Sequence, residues 1–460
     1  MSVFLLMRYL IRLSFLIIIM TLTSAAASAD KYSRAWKKVD ELIEKDLPES
    51  AAEETSRIWD MAAKDGDSRQ LLKSAVYMTQ VETTFGENNV EKGIDLFTSL
   101  LPKLKVREHQ AICHAFIAKG YLHYSLGRNP YGSARALCDS ILYHLDQSIQ
   151  LAGDVASGYY EEFFPGSNKD GLKLRPTLAD MLMDDATILV TQARLPLGKR
   201  GILQDRRLYG SAMEYLEATI GLDGTDPDLW PLYVLKLLTA HNNDTKPIIR
   251  CTVDLRRMNI LRDMLDANGD WTKADDDWLR GCVALGQSYQ KKVKFSTMFY
   301  ELAARCILNH DYSFTGEQKK DYYALAHTLC ELAQKEWPKS EGAFGCIALQ
   351  ERIERKDIQI MSSIDLLPGR ANVAGLSFAN VSEIYMKIVE VPGRSGTTDE
   401  ISLLAELNRA QSVSEWKVKV YDPGDFMTHY ALANIPPVME GCYYLMASSG
   451  PYFNSVLLIS

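Results

Sequence analysis

Ile358-Gln359-Ile360-Met361-Ser362-Ser363-Ile364-Asp365 and, beyond Pro368-Gly369, Asn372-Val373-Ala374-Gly375-Leu376-Ser377-Phe378 form the stretch on which the reading of the whole chain turns. Ile358, Ile360, Ser362 and Ile364 alternate with Gln359, Met361, Ser363 and Asp365, and Asn372, Ala374, Leu376 and Phe378 repeat that period after the turn. Successive side chains of a strand point to opposite faces, so the pattern predicts a hairpin. Further short runs follow at 383–389, at Trp416, Val418 and Val420, and at 426–433, 442–447 and 452–459, separated by Gly, Pro and Asn clusters. About seven short strands so spaced predict an antiparallel β-sandwich of immunoglobulin-like type over 357–460.

Upstream the period changes. From 30 to about 356, apolar residues recur at i, i+3, i+4 and i+7, the mark of amphipathic helices. Trp36, Val39 and Ile43 line the first, and Thr55, Ile58, Trp59 and Ala62 line the second after Pro48. Gly66 is a helix stop, and Asp67 with Gln70 a capping-box start for a third face of Leu71, Ala75 and Met78. Cys113, Phe116, Ile117, Gly120 and Tyr124 follow one face, with the small Gly120 allowing close approach. After the turn at 127–132 a partner helix carries Leu137, Ile141 and Leu145. Short connections make such helices packed neighbours, and this pair resembles a degenerate tetratricopeptide-type hairpin without a clean consensus. The expectation is a helical-repeat, TPR-like α-solenoid array, multidomain α then β.

Signals along the array are local. Glycines and prolines interrupt 152–176, and Tyr159, Tyr160, Phe163 and Phe164 sit inside that loop. The reading preferred over an exposed binding loop is that it folds back over a gap between helix pairs. Helix starts are expected at Thr177 with Asp180, Asp226-Pro227, Thr272 with Asp275, Thr315 with Gln318, and Pro338 with Ser340; Asn268-Gly269 is a stop. Tyr322, Leu325, Leu329 and Leu332 form a late face, and the charges at 351–357 a solvated helix end.

Several of these stretches resemble a known family. Ser363-Ile364-Asp365-Leu366-Leu367-Pro368-Gly369, Phe378-Ala379-Asn380-Val381, Glu383-Ile384-Tyr385-Met386-Lys387-Ile388 and Glu440-Gly441-Cys442-Tyr443-Tyr444-Leu445-Met446-Ala447 look like the first macroglobulin-like sandwich of bacterial alpha-2-macroglobulin-type proteins. Arg175-Pro176-Thr177-Leu178-Ala179-Asp180 and Trp337-Pro338-Lys339-Ser340-Glu341-Gly342-Ala343 are similar to landmarks in the helical leader of one branch. The resemblance implies an endopeptidase inhibitor that catches proteases physically when a bait segment is cut. No Cys is followed by a Cys-Gly-Glu-Gln-type thioester run, and neither bait nor receptor-side domains can be placed. The chain is therefore expected to represent only the front of such a protein, truncated or split, and not to trap alone.

A length of 460 residues exceeds one compact core and implies at least two domains. Hydrophobic content of 47% and charged content of 24% fit a folded soluble protein and disfavour disorder or a multi-span membrane protein. A net charge of -8 gives no basic surface for nucleic acid. Arg8 and Arg12, the apolar stretch 13–22 and Ala27-Ser28-Ala29 read as an export signal over 1–29, cut before Asp30; the alternative is an uncleaved anchor starting near Val3. No Cys follows as a lipoprotein anchor. The expected location is the periplasm, the cell surface or the extracellular space, with membrane contact only through an uncleaved signal. Eight cysteines are spread too widely for a disulfide framework. Cys306 completes an apolar stripe with Phe295, Phe299 and Leu302, so packing is the favoured role.

Catalytic constellations are not found. There is no His-Glu-x-x-His helix. Leu197-Gly198-Lys199 lacks the earlier Gly of a phosphate loop, and His123 stands where a nucleophile elbow around Ser125 needs Gly. His109, Cys113, His114 and His123 crowd one helix. His109 and Cys113 share a face but His114 is turned about 100° away, so ordinary helix residues are preferred over a zinc site. Asp275, Asp276 and Asp277 lack calcium-loop spacing and suit a helix N-terminus. The expectation is no catalytic, cofactor or metal residue, no small-molecule substrate and no enzyme. Partners would be proteins: proteases by resemblance, or envelope proteins if the array is instead a scaffold binding through its concave surface with the sandwich as a docking module. One detail of the sandwich is sharper. Tyr443, Leu445 and Ala447 are expected to fill its core with Trp416, while Tyr444 and Met446 meet either the last leader helices or a following domain.

Overall fold

The computed structural model describes residues 31–85, 90–128, 138–164, 169–192, 200–218, 229–267, 271–361, 366–391, 400–450 and 455–459. The export signal, most of the 127–132 turn, Leu137, Leu197-Gly198-Lys199, Asp226-Pro227 and Asn268-Gly269 lie outside the described residues, as does Tyr452. The chain falls into two compact units, one ending at Leu285 and one running from Gly286 to Ser460. The change from helix to strand at Asp357 therefore lies inside the second unit, which begins with helices. No helix among the described residues is long and apolar enough to cross a membrane.

In the first unit Lys31–Glu44, Pro48–Asp65, Ser68–Phe85, Val90–Leu100, Arg107–Arg128 and Cys138–Leu151 pack each against its sequence neighbour. Gly66 closes the second helix at φ 68°, a left-handed cap that costs glycine nothing sterically. Asp67 Oδ1 accepts from the amides of Arg69 at 3.0 Å and Gln70 at 3.1 Å, while Gln70 Oε1 is taken by Trp36 Nε1 at 2.6 Å. Asp67 thus caps the third helix, and its would-be reciprocal partner clamps it to the first. A Cβ on Gly120 would stand 2.7 Å from Ile94 Cγ1, so the close neighbour there is the preceding helix Val90–Leu100. The aromatic loop folds inward: Tyr160 and Phe163 are fully buried, and the Tyr160 hydroxyl donates to the Arg175 carbonyl at 2.6 Å. Thr177 and Asp180 form a complete capping box at the start of Leu178–Gln192, with Asp180 Oδ2 accepting from Thr177 N at 3.0 Å and Thr177 Oγ1 accepting from Asp180 N at 3.1 Å.

In the second unit Ser296–Asn309, Gly316–Glu336 and Glu341–Ile353 pack together. Ser340 caps the last, accepting from Ala343 N at 3.2 Å, as expected. Thr315 does not cap as expected: it holds the N-cap position but its side chain makes no capping hydrogen bond, and Gly316 beside it takes φ 54°. Cys306 and Phe299 are buried on one helix face.

All seven expected strands are present: β1 (Asp357–Met361), β2 (Asn372–Ala379), β3 (Glu383–Glu390), β4 (Ser414–Lys419), β5 (His429–Ile435), β6 (Tyr443–Ser448) and β7 (Ser455–Ile459). They form an antiparallel three-stranded sheet in the order β1-β2-β5 and a four-stranded sheet in the order β4-β3-β6-β7. Gly369 turns the first hairpin at φ 69°. Ile358, Leu376 and Phe378 from one sheet and Ile384, Met386 and Leu445 from the other belong to one apolar core. Asn380, at φ 57°, donates from its side chain to the carbonyls of Ile353 at 2.9 Å and Arg355 at 3.0 Å, tying the end of the last helix to the β2–β3 turn.

The register of β6 is the expected one. Tyr443, Leu445 and Ala447 lie in the shared core with Trp416 against it, and Tyr444 and Met446 point the other way. Their cover is neither of the two expected. A helix between β3 and β4, Glu400–Arg409, lies over that face, and Leu407, Val389 and Met446 form a second small core. An apolar strand face needs covering, and here an insertion of the strand unit itself supplies it. Lys387 on β3 reaches from the same face to the carbonyls of Leu407, Asn408 and Ala410 at 3.3, 3.4 and 2.8 Å, meeting the negative end of the helix dipole.

Candidate interaction surface

The two sheets differ in what lies outside them. The outer face of β4-β3-β6-β7 carries the inserted helix at one end. At the other end Lys417 donates to Glu383 at 2.8 Å and lies over the Tyr385 ring. The outer face of β1-β2-β5 carries no such cover among the described residues, and its composition follows from the register. Gly375 on the central strand pairs with Met361 on one side and Leu432 on the other, Ser377 pairs with Gln359 and Tyr430, and Val373 pairs with Asn434. Residues directly opposite share a face, so Met361, Val373, Tyr430 and Leu432 converge. All four are exposed, Leu432 at 77% and Tyr430 at 72%.

Gly375 sets the relief of this face. A Cβ there would meet the Met361 carbonyl oxygen at 2.6 Å, so the centre stays flat while larger side chains stand on either flank. β5 is also an edge strand, and its exposed members are Tyr430, Leu432 and Asn434, without a charge. The edge strand β4 exposes Glu415, Lys417 and Lys419 instead. Charged edge residues discourage strand addition and apolar ones do not. A second uncovered apolar spot is a hollow of about 340 Å³ lined by Leu366, Pro368, Val438 and Met439, with Cys442 among its walls. Glu440 is the one charged residue of its lining, whereas a small-ligand site needs several polar groups that converge.

The residues weighed for chemistry are dispersed. His109 lies between Ser68 Oγ on its Nδ1 and the Tyr159 hydroxyl on its Nε2, each at 3.1 Å; burial lowers its pKa. The Cys113 thiol donates to the Phe97 carbonyl at 3.3 Å, and burial pushes its pKa up to about 12, the opposite of a poised thiolate. His114 turns to His144, and His123 has its pKa lowered by burial. Asp275 accepts from Thr272 N at 2.7 Å and pairs with Arg262 at 2.6 Å, Asp276 accepts from Trp271 Nε1 at 2.8 Å, and Asp277 pairs with Arg280 at 3.1 Å. Among the described residues no group of three or more His, Cys, Asp or Glu is arranged to hold a metal ion. The apolar sheet face had no counterpart in the sequence reading. Its signal was the apolar Met361, Val373, Tyr430 and Leu432 at the outward positions of strands whose inward positions were already apolar. No protein-family model matches the chain, and no curated protein matches its sequence.

Proposed function

We propose that this is a non-enzymatic, exported protein that works by binding other proteins, and that it corresponds to the N-terminal part of an alpha-2-macroglobulin-type endopeptidase inhibitor. In this reading the helical part is a TPR-like leader and the strands a first macroglobulin-like sandwich of immunoglobulin type. The strand order, β1-β2-β5 against β4-β3-β6-β7, suits that type. The observation that carries the binding role is the contrast between the sheets: one outer face is covered by the inserted helix, while the other exposes Met361, Val373, Tyr430 and Leu432. Exposed apolar patches on folded proteins mark interaction sites. A second reading, an envelope scaffold that binds through the helical array, is favoured by the neighbour-to-neighbour packing of the first unit's helices.

A photo-reactive amino acid placed at Leu432 in cells tests the role, with the same residue at the exposed Glu415 as control. The expected result is a covalent adduct to another protein at 432 and none at 415. No adduct at 432, or equal adducts at both, would overturn the sheet face as the binding surface. Turnover of a generic peptide or ester substrate, lost on changing one residue, would overturn the non-enzymatic reading.

A further inference from the structure

Cys330 and Cys346 are both fully buried, on the packed helices Gly316–Glu336 and Glu341–Ile353. The residues around them fix which stripes meet. One turn beyond each cysteine, Gln334 Nε2 donates to Gln350 Oε1 at 2.6 Å, and Gln350 Nε2 lies 3.4 Å from His327 Nε2, one turn before Cys330. Residues three or four apart share a helix face, so one turn on from His327 and one turn back from Gln350 brings Cys330 and Cys346 to the same seam. The other cysteines of known surroundings differ: Cys113 is engaged by the Phe97 carbonyl, and Cys306 lies 3.9 Å from His310 Nδ1.

We propose that Cys330 and Cys346, free thiols in this structure, are a redox pair that closes to a disulfide stapling the last two helices. The co-reactant is the disulfide form of a thiol oxidant. One thiolate attacks an oxidant sulfur, breaking its S–S bond and releasing one oxidant thiol. The second protein thiolate then displaces the other half, so two electrons pass to the oxidant, two protein S–H bonds are lost and one S–S bond forms. The neighbouring Cys330, together with burial, pushes the Cys346 thiol up, so thiolate is scarce in the packed state. Oxidation therefore occurs while the helices are still pairing during folding, and the finished bond is shielded from reductant. An oxidising compartment outside the cytoplasm would supply such an oxidant, but the chemistry of the pair does not depend on that location.

The test is refolding of the full chain from denaturant with oxidised and reduced glutathione, followed by alkylation and trypsin. Cleavage after Lys320, Lys335, Lys339 and Arg352 places Cys330 in the peptide 321–335 and Cys346 in 340–352, one cysteine each. The expected result is that these two peptides run as one species and separate on reduction. The unfolding midpoint of the oxidised protein should fall when reductant is added, and Cys330→Ala/Cys346→Ala should show no such fall. Recovery of both peptides fully alkylated, or of either cysteine joined elsewhere, would overturn the pairing. Should the double variant fail to fold, the peptide map of the unaltered chain decides alone.

Discussion

His114 and His144 meet Nδ1 to Nδ1 at 2.8 Å between the helices Arg107–Arg128 and Cys138–Leu151. Only one hydrogen fits between two such nitrogens, so one ring donates, the other accepts, and the two cannot both be protonated. Burial, and then the facing His144, lower the His114 pKa to about 4; burial lowers that of His144 too. A depressed histidine contributes stability that is present above its unfolded pKa of about 6.5 and is lost as pH falls toward the folded value. Denaturant unfolding should therefore show stability falling between pH 6.5 and about 4, by up to ~3 kcal/mol from His114. His114→Gln should flatten the curve over that window, and an unchanged slope would refute the assignment.

Leu407 is fully buried between the inserted helix and the sheet. Leu407→Ala should cost about 2–5 kcal/mol and uncover Met446 and Tyr444. Binding of an apolar dye should rise in parallel. A variant of unaltered stability would mean the helix is not the cover of that face.

Gly281 sits inside the helix Lys273–Tyr289, where propensity alone predicts a gain of about 1 kcal/mol on change to alanine. The packing opposes it: a Cβ there would lie 2.2 Å from the Tyr209 carbonyl oxygen, a backbone atom that cannot swing away. Gly281→Ala should therefore destabilise by about 1–3 kcal/mol, measured by thermal unfolding. A rise in the midpoint would show that propensity wins.

Leu432 and Ala433 are neighbours on β5 with opposite fates, one 77% and the other 1% exposed. Leu432→Lys should leave stability within about 0.5 kcal/mol of the parent, whereas Ala433→Lys should unfold the strands, because it drives a charge into the shared core. Circular dichroism melts of the two variants separate these outcomes.

The strands were legible because they are short and are separated by Gly, Pro and Asn clusters, and because the 357–379 hairpin has a period of two. The helix Glu400–Arg409 was not, although Leu403, Leu404 and Leu407 carry its spacing in ten residues. Its necessity was visible only indirectly, in a β6 apolar on both sides. The exposed row is harder still. Gly375 and Leu432 are paired by register across a long separation in sequence, and a register set by tertiary packing leaves no local mark. The same holds for His114 with His144, whose partnership needs the two helices already in place. Thr315 failed as a cap because the residue type specifies the chance of a hydrogen bond, while the φ of 54° at Gly316 decides where the first turn points.

Lys387 gives the strand unit an order in time. The residue is 4% exposed, and its ammonium is held by three carbonyls that exist as a cluster only once the end of the inserted helix has been wound and docked. β3 can pair with β4 and β6 before then, but only with that charge still in water. The inserted helix should thus dock last in the unit's assembly and be the first piece to leave when it opens. Amide exchange along Glu400–Arg409 should run ahead of exchange in β3.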